Sequence, residues 1–220
     1  FNAALAATPA GAEMLKGPLT VDAINSEEFA DAFRTVATLD QQNGSANSSV
    51  NANDFAADFN NGLSAVFING VWGASQFAGS DNFVSCIYPN SVAISSANTG
   101  LYVANDLSDA QKELALEFIK YMTSEEVQSR YFLETSSNPI NENVDIQKLA
   151  QESGDPTALK LAEACDKCNK ADTIVLAIDV CWGNDVGGAL QNKFAECAVA
   201  GTDIEAKLAE LQAELTALIG

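Results

Sequence analysis

The sequence predicts an α/β fold in which helices dominate and strands are a minority. Several segments join an N-terminal capping signal to apolar residues at helical spacing. Only three short runs, residues 64–69, 83–88 and 101–104, read as strands. Hydrophobic residues make up 47% of the 220 positions, which supports a sizeable core and argues against disorder.

Taken in order, residues 8–25 are punctuated by Pro9, Gly11, Gly17 and Pro18 and read as loop. A helix then begins at an Asn25 cap answered by Glu28, with Phe29, Phe33, Val36 and Leu39 on one apolar face. Residues 43–53, rich in Asn and Ser, read as loop, and 54–60 as a short helix carrying Phe55 and Phe59. Ser64 to Asn69 lies between Gly62 and Gly70 and reads as a buried strand. Phe83 to Tyr88 is a second, ended by Pro89, and Leu101 to Ala104 a third. Ser108 and Gln111 form a capping box ahead of Leu114, Phe118 and Met122. Thr123 and Glu126 open a following helix with Val127 and Tyr131. Residues 136–139 are a turn, and Asp155-Pro156 a helix start, since Pro is tolerated at the first helical position. Two closing helices run from about 184 to 200 and from 203 to 218. Thr202 and Glu205 cap the second, whose Ile204, Leu208, Leu211, Leu215 and Leu218 form one stripe.

Composition excludes several functions. The 30 acidic and 11 basic residues give a net charge of −19, so nucleic acid and anionic membrane are poor partners. No apolar run reaches the ~20 residues of a membrane span. Histidine is absent, which removes the usual general base and commonest metal ligand. There is no G-x-G-x-x-G, phosphate loop or G-x-S-x-G. The pairs Glu27-Glu28 and Glu125-Glu126 sit in first turns, where the helix dipole accounts for them. No catalytic residue, cofactor or metal is therefore expected. The chain begins Phe1-Asn2-Ala3, with no signal peptide visible.

Two constellations remain. Cys165 and Cys168 form a C-x-x-C pair on one helix face, with Cys86, Cys181 and Cys197 elsewhere. Four readings are open: buried free thiols, a disulfide, zinc held with Cys181 and Cys197, or a redox pair. Burial as small soft side chains suits the helix best. The tryptophans are the second constellation. Trp72 follows Asn69-Gly70 at a glycine-flanked turn, and Trp182 precedes Asn184-Asp185 at a helix start. Such rings fit core packing. They also fit a sugar, whose apolar face stacks on an indole while amides and carboxylates take its hydroxyls.

From Phe59 to Trp72 the chain is similar to a segment of the family 1 extracellular solute-binding proteins. So are Ser108 to Glu126, the turn Asn138-Pro139-Ile140-Asn141, and the tail with Trp182 ahead of two helices. The resemblance covers roughly residues 26–220. It implies a periplasmic-binding-protein-like (type II) fold, mainly its C-terminal lobe, helix-rich with a short sheet. Residues 1–96 would open that lobe, 97–140 cross to the N-lobe, and 141–220 supply the closing helices. It implies capture of a carbohydrate in an inter-lobe cleft and delivery to ABC permease transmembrane subunits, outside the cell or in the periplasm. Trp72 and Trp182 match sugar-stacking positions. Asn69, Gly70, Asn184 and Asp185 adjoin them, and Gly100 and Tyr102 lie where the chain crosses between lobes. Family members are about twice this length. An N-terminal half, with any signal or anchor, is therefore expected upstream, and its lack would leave Leu114, Phe118 and Met122 exposed and promote self-association through 97–140. A sensory or adhesive sugar-binding module, or a thiol or zinc enzyme on the C-x-x-C pair, are the alternatives.

Overall fold

The computed structural model describes residues 1–43, 52–77, 83–96 and 100–220, apart from the side chains of 52–54. The first elements are α1 (Asn2–Leu5), α2 (Pro9–Met14), α3 (Val21–Ile24), α4 (Glu27–Gln42) and α5 (Ala52–Asn60). A 3₁₀ helix (Val71–Phe77) and strand β1 (Val92–Ser95) follow. Then come α6 (Asp109–Met122), α7 (Glu125–Thr135), α8 (Ile146–Ser153) and α9 (Pro156–Asn169). Strand β2 (Thr173–Leu176), α10 (Ile178–Cys181), α11 (Asn184–Cys197) and α12 (Ile204–Ile219) complete the order.

The helices start where side chains take up the first backbone N–H groups. The Ser108–Gln111 capping box is present as expected, and Asp155 caps α9 with Pro156 at its first position. Three caps lie one residue later than the sequence suggests. Ser26, Ser124 and Asp203 accept the N–H groups, because each is itself a good cap. Asn25 instead closes α3, its side-chain amide donating to the Val21 carbonyl. The expected loop 8–25 holds α2 and α3, capped by Thr8 and Thr20. The expected loop 43–53 falls largely outside the described residues.

The chain divides into two compact units. Unit 1 is Phe1–Asn51, Ile87–Asn98 and Ala171–Gly220; unit 2 is Ala52–Cys86 and Thr99–Lys170. Residues 52–86 and 141–170 thus group with the segment between them. Packing explains the grouping, since α9 lies against the 3₁₀ helix and α8 against α7.

In unit 1, α4 packs on α11 and α12 around Phe29, Phe33, Val186, Leu190, Leu208, Leu211 and Leu215. Burial of each large side chain contributes roughly 1.5–3 kcal/mol. Leu39, expected on this face, is exposed; Ala30 and Ala37 take the inward positions. The strands β1 and β2 pair in parallel, Val92 opposite Thr173, and cover Leu5, Leu15 and Ala32 with Val92 and Val175.

Unit 2 buries Phe132, Ala150, Ala158, Leu161 and Cys165. Beside them Phe59, Phe67, Phe77 and Phe83 form a ring cluster with centroids 5.0–6.2 Å apart, edge-to-face in every pair but the tilted Phe59–Phe67. The buried Gln128 is satisfied twice, donating to the Met122 carbonyl at 2.8 Å and accepting the Ile140 N–H at 2.9 Å. That fixes the expected Pro-bearing turn. By contrast α6 buries no residue, and Leu114 and Phe118 are 72% and 54% exposed.

The three expected strands form no ladder among the described residues; only Tyr88 reaches a bridge, to Val92. Val66 and Ile68 are exposed, not buried. Strand propensity acts through packing against a neighbouring strand, and among the described residues 64–69 and 101–104 have none. The backbone of 83–85 is bound by α9 side chains instead. Lys160 donates to the Phe83 carbonyl at 3.0 Å, Glu163 accepts the Ser85 N–H at 3.3 Å, and Lys167 donates to the Ser85 carbonyl.

Candidate functional site

The expected site residues fall into three local groups. The first is a tight turn in unit 2. The Asn69 side-chain Oδ1 accepts the Gly70 N–H at 2.8 Å. The Gly70 carbonyl accepts the Gly73 N–H at 2.9 Å, starting the 3₁₀ helix. The Ser75 hydroxyl then donates to the Trp72 carbonyl at 3.1 Å. Trp72 stands on this frame 57% exposed, and its indole folds back over Gly70. An exposed, backbone-fixed aromatic beside an amide is a stacking platform with a polar rim.

The second group, also in unit 2, is Gly100 and Tyr102. The phenol ring curls back so that its Cζ and hydroxyl lie 3.4 Å from where a Cβ on Gly100 would sit. Tyr102 is almost fully exposed.

The third group belongs to unit 1 and is built differently. Trp182 is half-buried, and its indole N–H donates to the Gly17 carbonyl at 3.2 Å. Its ring stacks on Phe29, with centroids 6.4 Å apart and planes 23° from parallel, and lies 6.5 Å from Phe1. Packing therefore claims much of this ring. Asn184 and Asp185, both exposed, form the first turn of α11 after Gly183, whose φ of 91° is one that glycine accepts freely. Gly17 as the partner of Trp182 carries no signal in the sequence, because the two are 165 positions apart.

A shallow hollow of about 260 Å³ in unit 1 is lined by Leu5, Thr8, Glu27, Glu28, Asp31 and Thr35. Arg34 pairs with Glu27 and Asp31 at its edge and with Glu205 beyond. The hollow offers no ring for stacking.

All five cysteines are free thiols. Burial pushes the Cys165 thiol up to about 12, with a smaller contribution from Cys168, and raises Cys168, Cys181 and Cys197 as well. A thiol nucleophile or redox centre needs the opposite shift. Cys165 and Cys168 lie in unit 2, Cys181 and Cys197 in unit 1. Among the described residues, no group of three or more Cys, Asp or Glu side chains is arranged to hold a metal.

A family model described as bacterial extracellular solute-binding protein matches residues 2–157, which include the first two groups. Among solved structures, a Streptococcus pneumoniae solute-binding protein in complex with the blood group A-trisaccharide is similar to this chain. The two share 38% identity with a TM-score of 0.90, over 98% of this chain and 56% of that one. The chain thus spans little more than half the length of that protein. No curated protein matches it.

Proposed function

The chain belongs to the family of bacterial extracellular solute-binding proteins, and from that premise we propose that it captures a carbohydrate outside the cell membrane and passes it to the transmembrane subunits of an ABC permease. Its fold is the periplasmic-binding-protein-like one, helix-rich with a short sheet. The observation that carries the sugar reading is the 38% identity, over nearly the whole chain, to a protein solved with a trisaccharide. Family and neighbour are binding proteins, and no catalytic residue is assigned here. No helix among the described residues is long and apolar enough to cross a membrane.

In this reading Trp72 supplies the stacking face. The Asn69 Nδ2 is a donor to a ring hydroxyl, since its Oδ1 is already taken. Tyr102 offers a second ring and a hydroxyl. Glycines at 70 and 100 let the Trp72 and Tyr102 rings approach the backbone. In unit 1, Asn184 and Asp185 are acceptors for hydroxyls, with Trp182 as an apolar wall. Saturation-transfer NMR tests the substrate class, using the blood group A-trisaccharide, other oligosaccharides, and a set of amino acids and peptides. The expected result is transfer to sugar ring protons, lost in Trp72→Ala. Transfer to peptides or amino acids and to no sugar would overturn the reading.

A further inference from the structure

We propose that Gly70 is a positioning residue for sugar binding: its bare Cα is the seat of the Trp72 indole, leaving a single ring face open to a ligand. This rests on the reading of Trp72 as the stacking ring. A Cβ added at Gly70 would lie almost equally far from the indole Cζ2, Cη2 and Cζ3, well inside contact with all three. An atom beyond the ring's edge would approach one of those carbons and stand clear of the others. Near-equal approach to three consecutive ring carbons places the Cβ above the ring, so the benzene half of the indole lies face-on against Gly70.

Three further observations support the seat. Gly70 is not among the glycines with positive φ, so its backbone conformation does not demand glycine; the ring does. Seat and ring also share one frame, since the Gly70 N–H, Gly70 carbonyl and Trp72 carbonyl are each held by a bond within residues 69–75. Finally, the arrangement recurs at the same spacing. Gly100 lies under Tyr102, more loosely, in a second Gly-x-aromatic pair. With one face covered by backbone, Trp72 stacks a sugar from one side only. A methyl group at position 70 has to push the indole off its seat, without itself meeting the ligand.

The experiment uses the 220-residue chain labelled with 5-fluorotryptophan, whose two resonances are assigned with Trp182→Phe. Gly70→Ala is expected to move the Trp72 resonance toward its unfolded position and to raise acrylamide quenching, while the Trp182 resonance stays. With the blood group A-trisaccharide as probe, Trp72→Ala is expected to weaken binding about tenfold, the upper range for an aromatic contact. Gly70→Ala should weaken it by a similar factor. The double variant should bind no worse than Trp72→Ala, because Gly70 acts only through the ring. A Trp72 resonance unmoved by Gly70→Ala, or losses that multiply in the double variant, would refute the seat. If Trp72→Ala binds like the unaltered chain, the ligand reading fails instead, and the fluorine signal still decides the seat.

Discussion

Trp182→Ala removes an indole that stacks on the fully buried Phe29 and donates to the Gly17 carbonyl. Truncating a buried tryptophan costs about 3–5 kcal/mol; for a half-buried ring the lower end applies. Loss of its hydrogen bond adds about 1 kcal/mol. The sum is about 4 kcal/mol, which at about 2–4 °C per kcal/mol lowers the melting temperature by roughly 8–16 °C. Trp182→Phe keeps a six-membered ring but loses the donor and the rest of the indole, so it should cost about 1–2 kcal/mol, less than Trp182→Ala. Trp72→Ala, at an exposed position, should change stability by less than about 0.5 kcal/mol. Thermal melts followed by circular dichroism separate the three. A Trp182→Ala chain that melts with the unaltered one, or a Trp72→Ala chain that melts as early as Trp182→Ala, would refute the packing argument. Lost sugar binding in Trp182→Ala therefore says little about contact, and Trp182→Phe is the informative variant.

Hydrogen bonding to Lys167 holds the Glu163 carboxyl below the usual range, against the opposing effect of burial. A depressed folded pKa means its contribution is present above the unfolded value of about 4.3 and is lost as pH falls through the folded one. Glu163→Gln should cost less than about 1 kcal/mol at neutral pH, because the pair is partly exposed, and the difference should vanish in acid melts; a constant difference would contradict this. Cys165 has the opposite sign. With its folded pKa raised to about 12, stability should fall as pH rises above the unfolded thiol value of about 8.5, by at most ~1.4 kcal/mol per pH unit. Alkaline urea titrations of Cys165→Ala should show a shallower decline, and an unchanged slope would contradict the assignment. Leu114 and Phe118 sit one turn apart on the exposed face of α6, and apolar patches of this kind find partners. Light scattering should show concentration-dependent association that Leu114→Glu with Phe118→Glu reduces; a strict monomer, or association that ignores both changes, would argue against it.

The helices were legible because their signals are local. The Ser108–Gln111 box and the stripe from Ile204 to Leu218 each lie within a few turns; the structure shows the box formed and Leu208, Leu211 and Leu215 of the stripe buried, while Leu218 is exposed. Three helices start one residue later because two capping residues adjoin there, as in Asn25-Ser26, and the second takes the N–H groups. The strands were not legible. β1 and β2 meet across 81 positions, while the run 64–69, with Val66, Phe67 and Ile68 at its centre, pairs with no strand among the described residues. The turn 69–72 was readable from its glycine and asparagine, which the structure uses to hold Trp72. The burial of Trp182 was not, since Gly17 and Phe29 reach it from far along the chain. The grouping of 52–86 with 99–170 likewise depends on α9 packing against the 3₁₀ helix, which no local pattern announces.

The most direct test of the account is titration of the 5-fluorotryptophan chain with oligosaccharides, the blood group A-trisaccharide among them, while watching the Trp72 resonance. Ring contacts from this chain supply ~1–3 kcal/mol, short of the ~4 kcal/mol that a 1 mM Kd represents, so saturation is expected only at millimolar concentrations or above. The account predicts a saturable shift of the Trp72 signal with at least one sugar. A Trp72 resonance that no sugar moves, up to the limit of solubility, would contradict it.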